Sequence, residues 1–397
     1  MMAGALDGIR VLDLSRVLAG PYCTMMLGDF GAEIIKIEQP GVGDDTRRWG
    51  PPWVGGESAY YLCANRNKKS VTLNLKDERG RELLRSLARE SDVLVENFKV
   101  GTLDRMGLGY ESLAAENPGL IWCSITGYGQ DGPYANRAGY DFVAQGEGGI
   151  MSVTGEVDGE PMKVGIAVVD ITTALYASNA IIAALHARNS TGRGQRIDAA
   201  LLPSAVAWLA NVGSSYLASG EEPKRYANAH ATIVPYQTFK GRDQWFIVGV
   251  GNDRQFQALC ALMGQPEIAA DERFSSNPRR VANRDELIPL LQSIFETEDA
   301  AVWLSGMTEA GIPCGPINTV GQALAHPQVE HRGMIVEVPH PTAGTVRVVG
   351  PPVIMSDTPA EVRSHPPLFG EHTDEVLRER IGVGEDDIAV LRADGVV

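Results

Sequence analysis

One carboxylate stands where covalent chemistry can begin. In Lys163-Val-Gly-Ile-Ala-Val-Val-Asp170-Ile-Thr-Thr-Ala-Leu, Asp170 opens a long apolar helix just downstream of a glycine-rich segment, Gly146-Glu-Gly-Gly149. A helix start gathers unpaired backbone N–H groups and the positive end of the macrodipole, so an aspartate there is expected to stay ionised without a metal or cationic partner. An ionised carboxylate can attack an acyl carbon, and backbone amides around Gly146 to Gly149 can approach the oxygen on which charge develops. The same residues also read as a plain N-cap and a tight turn. The helix has its own apolar stripe to support, Ile171, Ala174, Leu175, Ile181, Ile182 and Leu185, so the residues alone leave both readings open.

A second set of residues suits phosphate. Arg16, Arg47, Arg48, Arg66, Lys68, Lys69 and Arg105 fall on or near segments that follow predicted strands, where charge-assisted hydrogen bonds could surround several phosphate groups. The chain as a whole is acidic: 35 basic against 50 acidic residues leave a net charge of −15, which argues against a general nucleic-acid or anionic-membrane binder. An anionic ligand must therefore meet a local basic pocket. Familiar signatures are missing. Asp13-Leu-Ser-Arg-Val-Leu-Ala-Gly20 lacks the glycine spacing of a dinucleotide site; no phosphate-binding loop of an NTPase, HExxH helix or GxSxG elbow is present, and the seven histidines are scattered, so no metal site is expected. Five unpaired-looking cysteines, Cys23, Cys63, Cys123, Cys260 and Cys314, fit a reducing compartment. Met-Met-Ala-Gly-Ala-Leu-Asp is not a secretory leader and no window approaches a membrane span, so a cytoplasmic enzyme is the expectation.

The elements that must position these residues follow a βαβ rhythm. Ile9 to Leu14, Glu33 to Glu38, Val93 to Glu96 and Leu120 to Ile125 read as strands, Pro21 opens a helix ending near Gly31, and Glu78 to Glu90 is helical. Such alternation implies a doubly wound, largely parallel sheet, an α/β fold whose ligands sit beyond the carboxyl ends of the strands. After a helix over 170–188 and a strand Arg196 to Leu201, polar residues Ser219 to Arg225 read as a linker. A hairpin (234–240 and 245–249) and helices near 252–263, 284–296 and 299–310 then suggest a smaller α+β domain. The expected division is 1–218 as the first part of a large catalytic domain, 219–326 as the small domain, and 327–397 as a return segment completing the large one.

Leu12-Asp-Leu-Ser-Arg-Val-Leu-Ala-Gly-Pro21, Gly31-Ala-Glu-Ile-Ile-Lys-Ile-Glu38, Gly43-Asp-Asp-Thr-Arg47, Asn65-Arg-Asn-Lys-Lys-Ser70, Val95-Glu-Asn-Phe98, Gly192-Arg-Gly-Gln-Arg-Ile-Asp198 and Pro367-Leu-Phe-Gly-Glu-His-Thr373 together resemble the class III CoA-transferases over nearly the whole chain. The resemblance implies a Rossmann-like large domain and an interlocked homodimer. Coenzyme A would serve as substrate and product, with no tightly bound cofactor. It places the family's catalytic aspartate on Asp170, which would carry an aspartyl-CoA thioester between two acids in a pocket closed to water. Coenzyme A contacts carry over to Val17, Ala19, Leu73, Asn74, Lys76, Asn97, Phe98, Arg105, Tyr140 and Asp141.

Three departures from the formyl-CoA members stand out. Gln39 and Ala138 replace an Arg and a Lys, with Arg47 or Arg137 as possible substitutes, and Ala227-Asn-Ala-His-Ala-Thr-Ile-Val-Pro-Tyr-Gln237 replaces a glycine lid. This segment, Arg47-Arg-Trp-Gly-Pro-Pro52 and Ser124-Ile-Thr-Gly-Tyr-Gly-Gln130 resemble the members that exchange succinyl-CoA and glutarate, which favours C4 to C6 dicarboxylates. Arg48, Gly148, Gly149, His230 and Thr232 are the pocket candidates. Alternatives are a formyl-CoA:oxalate or other acyl-CoA:carboxylate transferase, an acyl-CoA racemase, and a non-catalytic CoA-binding protein. The racemase reading is disfavoured because Tyr140-Asp141 stands where racemases use a His-Asp pair, and tyrosine is a poor base at neutral pH.

Overall fold

The computed structural model describes residues 4–397, so Met1 to Ala3 of the N-terminal reading lie outside the described residues. The chain divides into two compact units, a larger one of residues 4–150, 163–221 and 327–397 and a smaller one of 151–162 and 222–326. The larger unit is built on six parallel strands, β1 (Arg10–Asp13), β2 (Glu33–Glu38), β3 (Lys68–Thr72), β4 (Val93–Glu96), β5 (Ile121–Thr126) and β6 (Arg196–Ala200). They lie in the order β3-β2-β1-β4-β5-β6. Its helices include α1 (Ala19–Asp29), α2 (Glu78–Arg89), α3 (Asp141–Glu147), α4 (Val168–Thr191) and α5 (Leu201–Trp208).

Strand alternation divides the core into two layers. Val11, Val93, Val95, Ile121 and Cys123 pack with Cys23 and Leu27 of α1 and with Ala174, Ala177 and Ile181 of α4. Their neighbours Leu12, Leu94, Leu120 and Trp122 point the other way, onto Leu84 and Leu87 of α2 and onto Val376, Leu377, Ile388 and Leu391 from helices Thr373–Ile381 and Glu385–Ala393. Burial on both faces is why β1, β4 and β5 read as nearly unbroken apolar runs. The strand order reverses between β1 and β4, which opens a crevice beyond their carboxyl ends.

Strand β3 was not expected, because Lys68-Lys69-Ser70 reads as a charged loop. Lys68 is nevertheless buried, donating to Asp13 Oδ2 at 3.0 Å, Pro21 O at 2.8 Å and Asn65 Oδ1 at 3.0 Å. Helix α4 also departs from expectation. It is 24 residues long and holds an 18-residue window of mean hydropathy 1.6, long and apolar enough to cross a membrane, against the expectation that no window comes near a span. Its Thr173, Ala174, Ala177, Ile181 and Ala184 are buried against the sheet, as a core helix requires.

In the smaller unit, Trp245–Gly249 pairs antiparallel with both Tyr236–Lys240 and Cys314–Pro316. Phe239, Phe246, Phe256, Phe295 and Trp303 fill its core beside helices Asp253–Leu262, Arg284–Phe295 and Ala300–Glu309. Residues 151–162, assigned from sequence to the first part of the large domain, group with this unit instead. Arg225 holds them by donating to Glu156 O at 2.9 Å and Gly159 O at 2.8 Å, contacts that no periodicity announces.

Candidate active site

Two cavities of the larger unit, among the described residues, lie along the crevice at the strand reversal. The first, of about 210 Å³, is walled by Arg16 to Ala19 after β1, Asn97 to Val100 after β4, Ala135 to Tyr140 after β5, and Asp170. The second, of about 250 Å³, is walled by Ile37 to Gln39 and Val42 to Asp44 after β2, Leu73 to Lys76 after β3, and Met106. Arg16 and Phe98 belong to both. The crevice marked by the strand reversal is thus lined by residues with acid, base and apolar character along one path.

Asp170 is the third residue of α4, whose N-cap position is Ala167 and carries no side-chain cap. Capping falls to Asp141 at the start of α3: its Oδ1 accepts the backbone N–H of Val169 at 2.8 Å and of Asp170 at 3.2 Å. Gln145 in turn donates to Asp141 Oδ2 at 2.6 Å and accepts the Val164 N–H at 2.8 Å, fixing the cap. This overturns the expectation that Asp170 stays ionised on the strength of the helix end. Burial and then the Asp141 carboxylate push Asp170 up to about 7. A desolvated carboxylate of that basicity is a stronger nucleophile once ionised than one held at an ordinary value.

Sequence reasoning missed Tyr60 and Gln145. Tyr60 stacks edge-on against Trp49 at 5.2 Å, and burial together with the Asp170 charge pushes its phenol up to about 12, which keeps it a proton donor. Nothing in Ser58-Ala-Tyr-Tyr-Leu62 signals this. Gln145 lies one helical turn from Asp141, a spacing that a capping analysis of α3 would have found.

Most of the expected ligand residues line the two cavities: Val17, Ala19, Asn97, Phe98 and Tyr140 the first, Leu73, Asn74, Lys76 and Phe98 the second. Asp141 stands behind Asp170 as its cap. Arg105 lines neither and donates to Thr102 Oγ1 at 3.1 Å. Much of the expected phosphate cluster is engaged internally. Arg47 pairs with Glu38 through two bonds of 2.8 Å and stacks on Tyr61, Arg66 grips Asp29, and Lys69 joins Glu33 to Glu375. Arg47 is therefore no stand-in for the residue replaced by Gln39. The cations in the first cavity's wall are Arg16, Lys99 and Arg137. The last is paired with Glu147 at 2.9 Å and stacked on Tyr128 and Tyr134.

The pocket candidates fare differently. Arg48 lines neither cavity and donates to Val42 O at 2.8 Å, closing its own turn. A Cβ on Gly148 would lie 2.5 Å from that of Ala205, so this glycine lets α3 approach α5; neither it nor Gly149 lines the cavity. His230 and Thr232 belong to the smaller unit, where His230 accepts the Thr232 N–H at 3.1 Å and stacks on Tyr236.

A doubly wound sheet with a carboxyl group in the wall of its switch-point crevice is the frame of an α/β enzyme. A model of CoA-transferase family III matches residues 6–373, and the chain belongs to that family. It is accordingly an enzyme of the transferase type. Over 392 residues it is 47% identical to succinyl-CoA:glutarate CoA-transferase of Homo sapiens, covering 99% of this chain and 90% of that protein. It is 46% identical over 380 residues to succinate–glutarate CoA-transferase of Agrobacterium fabrum, covering 94% and 95%. Among solved structures, a CAIB/BAIF family protein from Brucella suis superposes with a TM-score of 0.87 at 47% identity, covering 96% of this chain and all of that one.

Proposed function

We propose that this enzyme moves coenzyme A from succinyl-CoA to a C4 to C6 dicarboxylate such as glutarate, with Asp170 as the covalent carrier. The observation that carries the reading is that Asp170 shares one cavity wall with Val17, Ala19, Asn97, Phe98 and Tyr140. The relatives' substrates support the choice of acids. The adenine end occupies the second cavity beside Leu73 to Lys76, the pantetheine arm passes Arg16 and Phe98, and the thioester ends at Asp170.

An Asp170 oxygen attacks the succinyl carbonyl and the C–S bond breaks, leaving a succinyl-aspartyl anhydride and CoA thiolate. The thiolate attacks the aspartyl carbonyl, succinate leaves, and an aspartyl-CoA thioester remains. A glutarate carboxylate attacks that thioester and expels the thiolate. The thiolate then attacks the glutaryl carbonyl of the new anhydride, which yields glutaryl-CoA and frees Asp170. Tyr60 stays protonated through burial and the Asp170 charge. Coenzyme A enters and leaves as a substrate, with no resident cofactor.

The working form is a homodimer. Leu175, Tyr176 and Ile182 on the outer side of α4 and Val206 and Trp208 on α5 are large apolar residues 40% to 53% exposed, a face that a second copy would cover. Five unpaired cysteines support a cytoplasmic setting. The test is incubation with succinyl-CoA and glutarate. Formation of glutaryl-CoA and succinate, with hydroxylamine converting Asp170 to a hydroxamate during turnover, supports the reading. No exchange with any C4 to C6 diacid, or label on another residue, rejects it. A stable monomer in light scattering would reject the dimer.

A further inference from the structure

Four non-glycine residues among those described have positive φ, and Val17, at +73°, is the one with a β-branched side chain. That conformation crowds a branched Cβ, so it persists only where the surroundings impose it. Here they do, through side chains that grip the backbone on both sides of the bend. Asp13 Oδ1 accepts the Ser15 N–H at 3.0 Å, and Lys36 Nζ donates to Ser15 O at 2.8 Å. Asn97 accepts the Arg16 N–H at 3.0 Å and donates to Arg16 O at 2.7 Å. Asp44 Oδ1 accepts the Val17 N–H at 3.2 Å.

Lys36 and Asp44 form a buried ion pair within this set. Both side chains are fully buried and 2.8 Å apart. Burial alone would raise the Asp44 carboxyl, but Lys36 and the Thr46 donors hold it well below the usual range. Thr46 N–H and Oγ1 complete its shell at 3.0 and 2.7 Å. A buried ion pair contributes little net stability over apolar residues of the same size, so its consequence here is geometric. One end sets Ser15 and the other sets Val17, the residues that flank Arg16, whose side chain lines both cavities.

We propose that Asp44 and Lys36 are positioning residues for coenzyme A: they hold Val17 left-handed and thereby shape the wall common to the two cavities. The inference rests on the reading of those cavities as the coenzyme A site. It predicts that a residue free to adopt positive φ at position 17 lessens the need for the pair, since glycine does so without being held.

The test is a cycle of variants read by calorimetric binding of free CoA and by steady-state kinetics. Lys36→Met with Asp44→Asn removes both charges together, which avoids stranding one of them. The expected result is a Kd for CoA and a KM for the acyl-CoA raised about 10-fold, with kcat changed less than about 3-fold. Adding Val17→Gly should recover about 5-fold of that loss, a coupling that a merely structural role would not produce. Should the double variant not fold, Asp44→Asn with and without Val17→Gly is read by the same criterion. Wild-type affinity in the charge-free variant, or no recovery on adding glycine, overturns the proposal. A wild-type enzyme that binds no CoA fails the cavity reading itself and is told apart by that measurement alone.

Discussion

Replacing Asp170 by asparagine should cost the enzyme its reaction and make the fold more robust, because one property of the residue governs both. Its carboxyl rises from 3.8 to about 7 on folding, first through burial and then through Asp141. That displacement corresponds to roughly 4 kcal/mol of preference for the protonated form. The sign follows from where the proton sits. Below pH about 4 both folded and unfolded chains hold the proton and the carboxyl costs nothing; between about 4 and 7 only the folded chain keeps it, so stability falls as pH rises and the full penalty applies above 7. Asparagine has nearly the same shape and never ionises. In urea unfolding at pH 8, Asp170→Asn should therefore exceed the wild type by up to roughly 4 kcal/mol, and the gap should close as the pH is lowered toward 4. Turnover should fall at least about 10³-fold while CoA binding persists. Equal stability at pH 8, or a gap that ignores pH, would refute the account of the buried charge; undiminished turnover would refute the role of the carboxylate.

Removing the neighbouring charge should move the pH profile. Asp141→Asn still accepts the two helix N–H groups but no longer repels Asp170, so the acid limb of kcat/KM, expected near 7, should shift to lower pH, as initial-rate profiles would show. Gly139→Ala should destabilise the loop that walls the first cavity, since the added Cβ would lie 2.3 Å from the Gly127 Cα; a raised KM for acyl-CoA with an intact melting transition elsewhere is the expected outcome. In the smaller unit, Arg280 is fully buried, donates to Val234 O, Phe274 O and Asp253, and stacks on Phe256. Arg280→Leu should cost that unit about 2–4 kcal/mol. Hydrogen exchange should quicken over 234–303 and leave β1, β4 and β5 unchanged.

The parts of the fold most legible in the sequence are those where one local signal suffices. Glu33–Glu38 and the helices at 253–262 and 284–295 announce themselves by apolar period, and they appear where that period places them. Strand β3 does not, because Lys68 and Lys69 are charged and only partners distant in sequence, Asp13 and Glu33, explain why the chain there is extended and buried. The same limit governs the site. Asp170 can be singled out by its helix, yet its ionisation is misjudged from sequence because Asp141, 29 residues earlier, takes the helix-end donors that local reasoning credits to Asp170. Arginines that read as free for phosphate are bound to carboxylates that no spacing rule connects: Arg66 to Asp29, Arg47 to Glu38.

The layer that Leu12 and Leu94 enter is completed by Ile388, Leu391, Val396 and Val397. During synthesis the early strands must therefore leave the ribosome with that side only partly covered, by α2 and its neighbours, and they wait for some 290 further residues before it can close. Such a nascent chain exposes leucine and tryptophan side chains for many seconds at ordinary elongation rates. Chaperone dependence, and loss of soluble protein on trimming only the last few residues, are the cellular signs of a core sealed from its tail.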